Sequence, residues 1–179
     1  MTIKIFEQTP GCMPQIIKQG DWIDLRLAET VTLKAPQANR LHIRNKSNKQ
    51  KPEVRVRDVD FDSTLASLGV CIQIPEGFES IIVPRSSTFR KYGILQTNSI
   101  GVIDQSYCSN EDVWKMPLVA TQNITIPKFT RIAQFRIQPS QKASVWQKLK
   151  WLFSSDIKIK QVTTLKNPER GGFGSTGEN

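Results

Sequence analysis

The heptapeptide GVIDQSY, Gly101–Tyr107, sets one carboxylate, Asp104, between an apolar pair and a tyrosine, ahead of turn-like residues. In an ordinary hairpin such an Asp makes the turn and the Tyr packs. A carboxylate is also the group type that takes a proton from a water. A second stretch, RGGFGSTGEN at the end of the chain, is Gly-rich and has a single apolar residue, Phe173. Too polar for a core, it reads as a flexible tail. Its glycines let backbone N–H groups converge on an anion, its Ser and Thr add hydroxyl donors, and its aromatic can lie flat on a base.

The elements that must position these groups read as short strands. TIKIF (Thr2–Phe6), VRVRDV (Val54–Val59), VCIQI (Val70–Ile74), SIIV (Ser80–Val83) and RIAQFRI (Arg131–Ile137) often alternate apolar with polar. Gly, Pro, Asn and Asp divide them, which predicts an all-β sandwich or barrel. No repeat has a fixed period. Asn39–Lys51 is basic and polar, so a solvated hairpin tip or loop is expected, with Val54–Val59 returning from it as a strand. Ser144–Phe153 has helical spacing. Val145, Trp146, Leu149, Leu152 and Phe153 share one face, Trp151 sits near the polar side, and that face is expected to pack on the body or on a neighbouring chain. A helix lying on a membrane surface is the weaker reading, because ten residues bury little area.

With 179 residues, 38% of them apolar, the chain suits one domain with a proper core. It holds no stretch of membrane-span length, and its start lacks the pattern of a secretory signal. Three widely spaced cysteines without a CxxC pair argue for a reducing cytosol and against a zinc site or disulfide framework. One histidine, His42, leaves little for His-based chemistry. The net charge of +9 favours anionic partners, including nucleotides.

Taken in order, GDWIDL (Gly20–Leu25), PRSSTFRKYGI (Pro84–Ile94), NSIGVIDQSY (Asn98–Tyr107), RIAQF (Arg131–Phe135) and RGGFGSTG (Arg170–Gly177) resemble the motifs of the trimeric all-β deoxyuridine triphosphatase (dUTPase) family. The resemblance covers the chain from about Gly20 onward, apart from an added basic loop or hairpin near 39–60 and an added helix near 144–153. It implies a jelly-roll-like barrel, a single domain over 1–179, and a homotrimer with shared active sites. It also implies a flexible arm, 170–179, that closes over the site. The implied reaction is dUTP to dUMP and pyrophosphate, with Mg2+.

By the same resemblance Asp104 is the general base. Tyr107 walls off a 2′-hydroxyl, the backbone of Gly101, Val102 and Ile103 reads the uracil edge from a hairpin, and Asn98 stands at that hairpin's start. Arg85, Ser86 and Ser87 hold phosphates with a planar fork and hydroxyl donors. Gln134 orients phosphate or water. Asp24 meets magnesium through water. Arg170 and the following residues, Gly174, Ser175 and Thr176 among them, fold over the triphosphate while Phe173 stacks on uracil. Departures from the family pattern are Asp21 and Trp22 in the first motif, Ser87 and Thr88-Phe89 in the second, Ser106 in the third, and the short RGG spacing.

Two rival readings remain at this level. One is a dCTP deaminase-like enzyme, for which no Glu stands in the pocket motifs. The other is a dUTPase-fold regulatory or nucleic-acid-binding protein, motivated by the charge. Nucleic acid is not expected as the main partner, and location is expected to be cytoplasmic, or host-cytoplasmic for a viral protein.

Overall fold

A computed structural model describes residues 1–17, 20–44, 54–153 and 156–172; for 39–44 and 54–58 it describes the backbone alone. The strands run β1 (Thr2–Glu7), β2 (Gln15–Ile16), β3 (Ile23–Arg26), β4 (Val31–Leu33), β5 (Gln37–Arg44), β6 (Val54–Asp60), β7 (Ser63–Ser67) and β8 (Val70–Gln73). After β9 (Phe78–Pro84) comes the short helix α1 (Thr88–Tyr92), followed by β10 (Ile94–Gln96), β11 (Gly101–Asp104), β12 (Lys115–Ala120), β13 (Ile124–Ile126) and β14 (Arg131–Pro139). Helix α2 (Val145–Leu152) and β15 (Lys158–Val162) complete the chain. The all-β expectation holds, and each of the five stretches read as strands lies on one.

The largest sheet has the order β11-β9-β14-β3-β2. Its strands alternate as period-2 patterns require: Phe78, Ser80 and Ile82 of β9, and Ala133, Phe135 and Ile137 of β14, point into the core. There they meet Leu25, Trp114, Met116 and Leu118, and the Trp114 ring stands edge-on to Phe135 at 5.1 Å. The opposite face of this sheet carries Asp24, Val83 and Gln134 in one row, by the registers Gln134↔Asp24 and Gln134↔Val83. A β-bulge interrupts that regularity, because Arg131 pairs Arg26 while Ala133 pairs Leu25. The extra residue rotates Arg131 out of the core-facing set and onto the face of Asp24.

The basic addition is an antiparallel pair, β5 with β6, that forms its own two-stranded sheet. This agrees with the hairpin expectation; its tip, 45–53, lies outside the described residues.

Helix α2 forms where expected. Ser144 caps it: Ser144 Oγ accepts from the Gln147 N–H at 3.2 Å, and Gln147 Oε1 accepts from the Ser144 N–H at 2.7 Å. Of its two expected seats, the body of its own chain is overturned, which leaves a neighbouring chain. Trp146 is 81% exposed and Phe153 82%, and Val145, Leu149 and Leu152 also face solvent. Trp151, read as near-polar, is the residue that joins the core cluster. The anchor is polar: Gln147 Nε2 donates to the Glu76 carbonyl at 3.1 Å and its amide lies on Gly77. Gly77 has φ of +81°, and a Cβ there would fall 2.3 Å from Gln147 Cδ, so only glycine admits this seat.

Candidate functional site

Strand β11 is the edge of the large sheet, paired to β9 alone. The expected hairpin is absent here: β10 pairs with β12 in another sheet, and Ser99, with φ of 59°, turns the chain between them. The edge position has a chemical consequence. One row of β11 main-chain donors and acceptors has no strand partner among the described residues and stays available to a ligand.

A cavity of about 170 Å³ lies at this edge, lined by Ile82, Asn98, Gly101, Val102, Ile103, Tyr107, Lys115, Arg170 and Gly172. The structure therefore brings together Asn98, the 101–103 backbone, Tyr107 and the start of the arm, as the motifs implied. Asn98 Oδ1 accepts from Gln96 Nε2 at 2.7 Å. The Tyr107 hydroxyl donates to the Val113 carbonyl at 3.0 Å. Burial first, then the charge of Asp112, pushes the Tyr107 phenol up to about 12, so the ring stays neutral.

Asp104 closes β11 but faces an adjoining groove, lined also by Glu76, Glu79, Gln105, Ser106 and Arg170. Arg170 lines both spaces, and its Nη1 lies 3.0 Å from Asp104 Oδ2. Ser106 donates to Asp104 Oδ1 from its N–H at 2.8 Å and again from its hydroxyl. Partial burial pushes the Asp104 carboxyl up. The Ser106 donors, the Arg170 charge and the Tyr107 N–H outweigh that and hold it below the usual carboxylate value.

The arm begins on a buried anchor that the sequence did not reveal. Asp112, 1% exposed, accepts from the N–H groups of Ser109 (2.9 Å), Gly171 (3.3 Å) and Arg170 (3.5 Å). Asn167 Nδ2 adds a bond to the Cys108 carbonyl at 3.2 Å. Phe173, Gly174, Ser175 and Thr176 lie outside the described residues.

A second cluster sits elsewhere. Arg85 and Ser86 follow β9, and Ser87 precedes α1 without a side-chain cap bond. Asp24 is 5% exposed; Arg85 Nε lies 2.9 Å from its Oδ1 and Arg131 Nη1 3.0 Å from its Oδ2. Gln134 Nε2 donates to the Pro84 carbonyl at 3.4 Å. Asp24, expected to meet magnesium through water, stands between two arginines. Both oxygens are taken by guanidinium groups, and the carboxylate has almost no contact with solvent. No group of three His, Cys, Asp or Glu among the described residues could hold a metal. Among the described residues, none of the carboxylates is grouped to hold a magnesium directly.

The two clusters do not meet within one chain. Asp104 pairs Glu79 at the start of β9, and Arg85 follows its end. At about 3.3 Å per residue that is roughly 20 Å. Sequence reasoning missed Lys115, Gln96, Arg131 and Asp112. Arg131 stood inside a quoted motif, whereas Lys115, Gln96 and Asp112 carried no signal beyond being polar.

An unpaired strand edge, a cavity beside it, a carboxylate and well-placed arginines make a site suited to a flat heterocycle bearing anionic groups. The chain belongs to the dUTPase family, whose model matches residues 28–177. Among curated relatives it is 38% identical to the SPbeta prophage-derived deoxyuridine 5′-triphosphate nucleotidohydrolase of Bacillus subtilis (strain 168), over 98% of this chain and 96% of that protein. Two solved structures share the fold. The dUTPase of Streptococcus mutans has a TM-score of 0.56 at 21% identity, over 75% of this chain and 90% of that one. A dUTPase variant from phage phi11 of S. aureus, described with a structural Mg(II) ion, has a TM-score of 0.56 at 15% identity, over 80% and 94%.

Proposed function

We infer that the chain hydrolyses dUTP to dUMP and pyrophosphate. The observation that carries this reading is the free main-chain edge of β11 on the Tyr107 cavity, with the Asp104–Arg170 pair at the strand's end. Uracil presents one N–H between two carbonyl acceptors, and alternating main-chain donors and acceptors match that edge. Cytosine would reverse part of the pattern, and a hydrogen-bonding site rejects such a mismatch far better than an apolar slot does. In this reading deoxyribose rests against the Tyr107 ring, which leaves no space for a 2′-hydroxyl.

In the proposed step, water attacks the α-phosphorus, the bond to the β-phosphate oxygen breaks, and pyrophosphate leaves. Asp104 holds that water and takes its proton. Arg170 releases Asp104 as the triphosphate arrives and turns to the phosphate charge. Residues 170–179 then cover the site, with Phe173 on the base and Gly174, Ser175 and Thr176 on the phosphates. Arg85, Ser86, Ser87 and Gln134 bind the terminal phosphates. Because Asp104 and Arg85 stand at opposite ends of β9, a second copy must supply the phosphate cluster, which supports a homotrimer with shared sites. We propose that magnesium, expected from the family, enters on the substrate's own phosphates.

The three cysteines, Cys12, Cys71 and Cys108, are free and buried, which supports action in a reducing cytoplasm. No helix among the described residues is long and apolar enough to cross a membrane.

Pyrophosphate release across dUTP, dCTP, dTTP and UTP tests the function. Release from dUTP alone is expected. Ammonia released from dCTP would overturn hydrolysis in favour of deamination.

A further inference from the structure

We propose that Asp24 is a positioning residue that aims Arg85 and Arg131 at the terminal phosphates, and not a magnesium-binding residue. The proposal rests on the reading of Arg85 as a phosphate-binding side chain.

The argument starts from the strand. Ile23 and Leu25 of β3 face the core, so alternation sends Asp24 to the other face, where Arg85 and Gln134 also project. A buried carboxylate stays charged only when it is paired and hydrogen-bonded. Asp24 meets that need twice, with one guanidinium on each oxygen. The bulge before Ala133 is what makes the second contact, since a regular strand would turn Arg131 into the core.

The geometry of the first contact matters most. Arg85 reaches Asp24 through Nε and donates from Nη1 to the Arg131 carbonyl at 3.5 Å, which leaves Nη2 and the second Nη1 hydrogen for other acceptors. A guanidinium held at Nε is fixed in plane and direction, with Nη2 and one Nη1 hydrogen left for phosphate oxygens. One carboxylate between two arginines leaves one positive charge unneutralised. The result is a preorganised anion-binding pair whose ordering cost is met before substrate arrives. An outer-sphere magnesium would compete with two cations for the same buried carboxylate.

The test uses the full-length protein and its Asp24→Asn variant, which keeps shape and removes charge. Binding of inorganic tripolyphosphate without metal, measured calorimetrically, should weaken about tenfold or more in the variant, while dUMP binding stays within about twofold. In turnover, the KM for dUTP should rise more than kcat falls, and the Mg2+ concentration for half-maximal rate should not move. Mg2+ alone should show no saturable binding to the wild type. Tripolyphosphate binding equal in both proteins would overturn the proposal. So would a raised Mg2+ requirement with an unchanged KM, or saturable Mg2+ binding by the wild type that the variant loses. If Asp24→Asn does not fold, Arg131→Lys keeps the charge but loses the planar fork, and tripolyphosphate binding should still weaken severalfold. Unchanged binding there would also overturn it. A wild type that releases no pyrophosphate from dUTP would instead defeat the proposed function, while the Mg2+ and tripolyphosphate titrations would still decide the role of Asp24.

Discussion

Asp104 is held in its charged form by Ser106, Arg170 and the Tyr107 N–H against the opposing pull of burial. A depressed folded-state value means that the base form persists as pH falls and is lost only when pH drops through that lowered value. The acid limb of kcat/KM should therefore lie below the ordinary carboxylate range. Arg170→Gln removes one lowering influence, so its acid limb should move up; a limb that stays in place would separate Arg170 from Asp104. Asp104→Asn should still bind dUTP but lose about 10²–10⁴-fold in turnover, and near-normal pyrophosphate release would remove Asp104 from its role. Tyr107→Phe loses the bond to the Val113 carbonyl but keeps the ring. It should cost about 1 kcal/mol of stability by denaturant melt and leave rejection of UTP intact.

At the scale of elements, the arm is seated where two features meet. Asp112 fixes the backbone of Arg170 and Gly171, and Gly172 lies on Tyr107 so closely that an added Cβ would sit 3.0 Å from Cε2. Gly172→Ala should push the arm off the ring and raise the KM for dUTP a few-fold, with melting temperature unchanged, because the contact is at the surface. The β5–β6 hairpin forms a sheet of its own. Replacing residues 45–53 by a short Gly/Ser turn keeps the described β5–β6 pairing. Turnover at high salt should be unchanged, while at low salt KM should rise moderately through lost attraction for the triphosphate. A large fall in kcat at every salt concentration would show that the hairpin reaches a site.

For the whole molecule, the separation of Asp104 from Arg85 along β9 makes a mixing experiment decisive. Asp104→Asn chains and Arg85→Ala chains should each be nearly inactive. Co-refolded together they should regain activity, because a hybrid trimer can place an intact base beside an intact phosphate cluster. No recovery, in a mixture that light scattering shows to be trimeric, would mean that each site is built within one chain.

Much of this protein was legible in the sequence because the signals are local. Alternation in Arg131–Ile137 and in Ser80–Val83 gave strands, helical spacing gave α2, and the motif residues around Asp104, Arg85 and Arg170 implied the family. The tertiary structure decided what depends on partners distant in the chain. Strand pairing put β11 on an edge against β9 and β10 in another sheet, so the main chain that faces the ligand is a free edge and not a hairpin. A one-residue bulge moved Arg131 to the far face of its strand; no periodicity records such a step, because the count is set by the register with β3. Asp24 read as a carboxylate that meets magnesium through water, and two arginines from remote segments pair with it in a nearly buried position. In α2 the apolar residues share a face as the sequence said, but the bond from Gln147 to the Glu76 carbonyl and the packing of Trp151 rotate that face to solvent. Local propensity fixes what an element is, while its orientation follows from contacts that no short window of sequence contains.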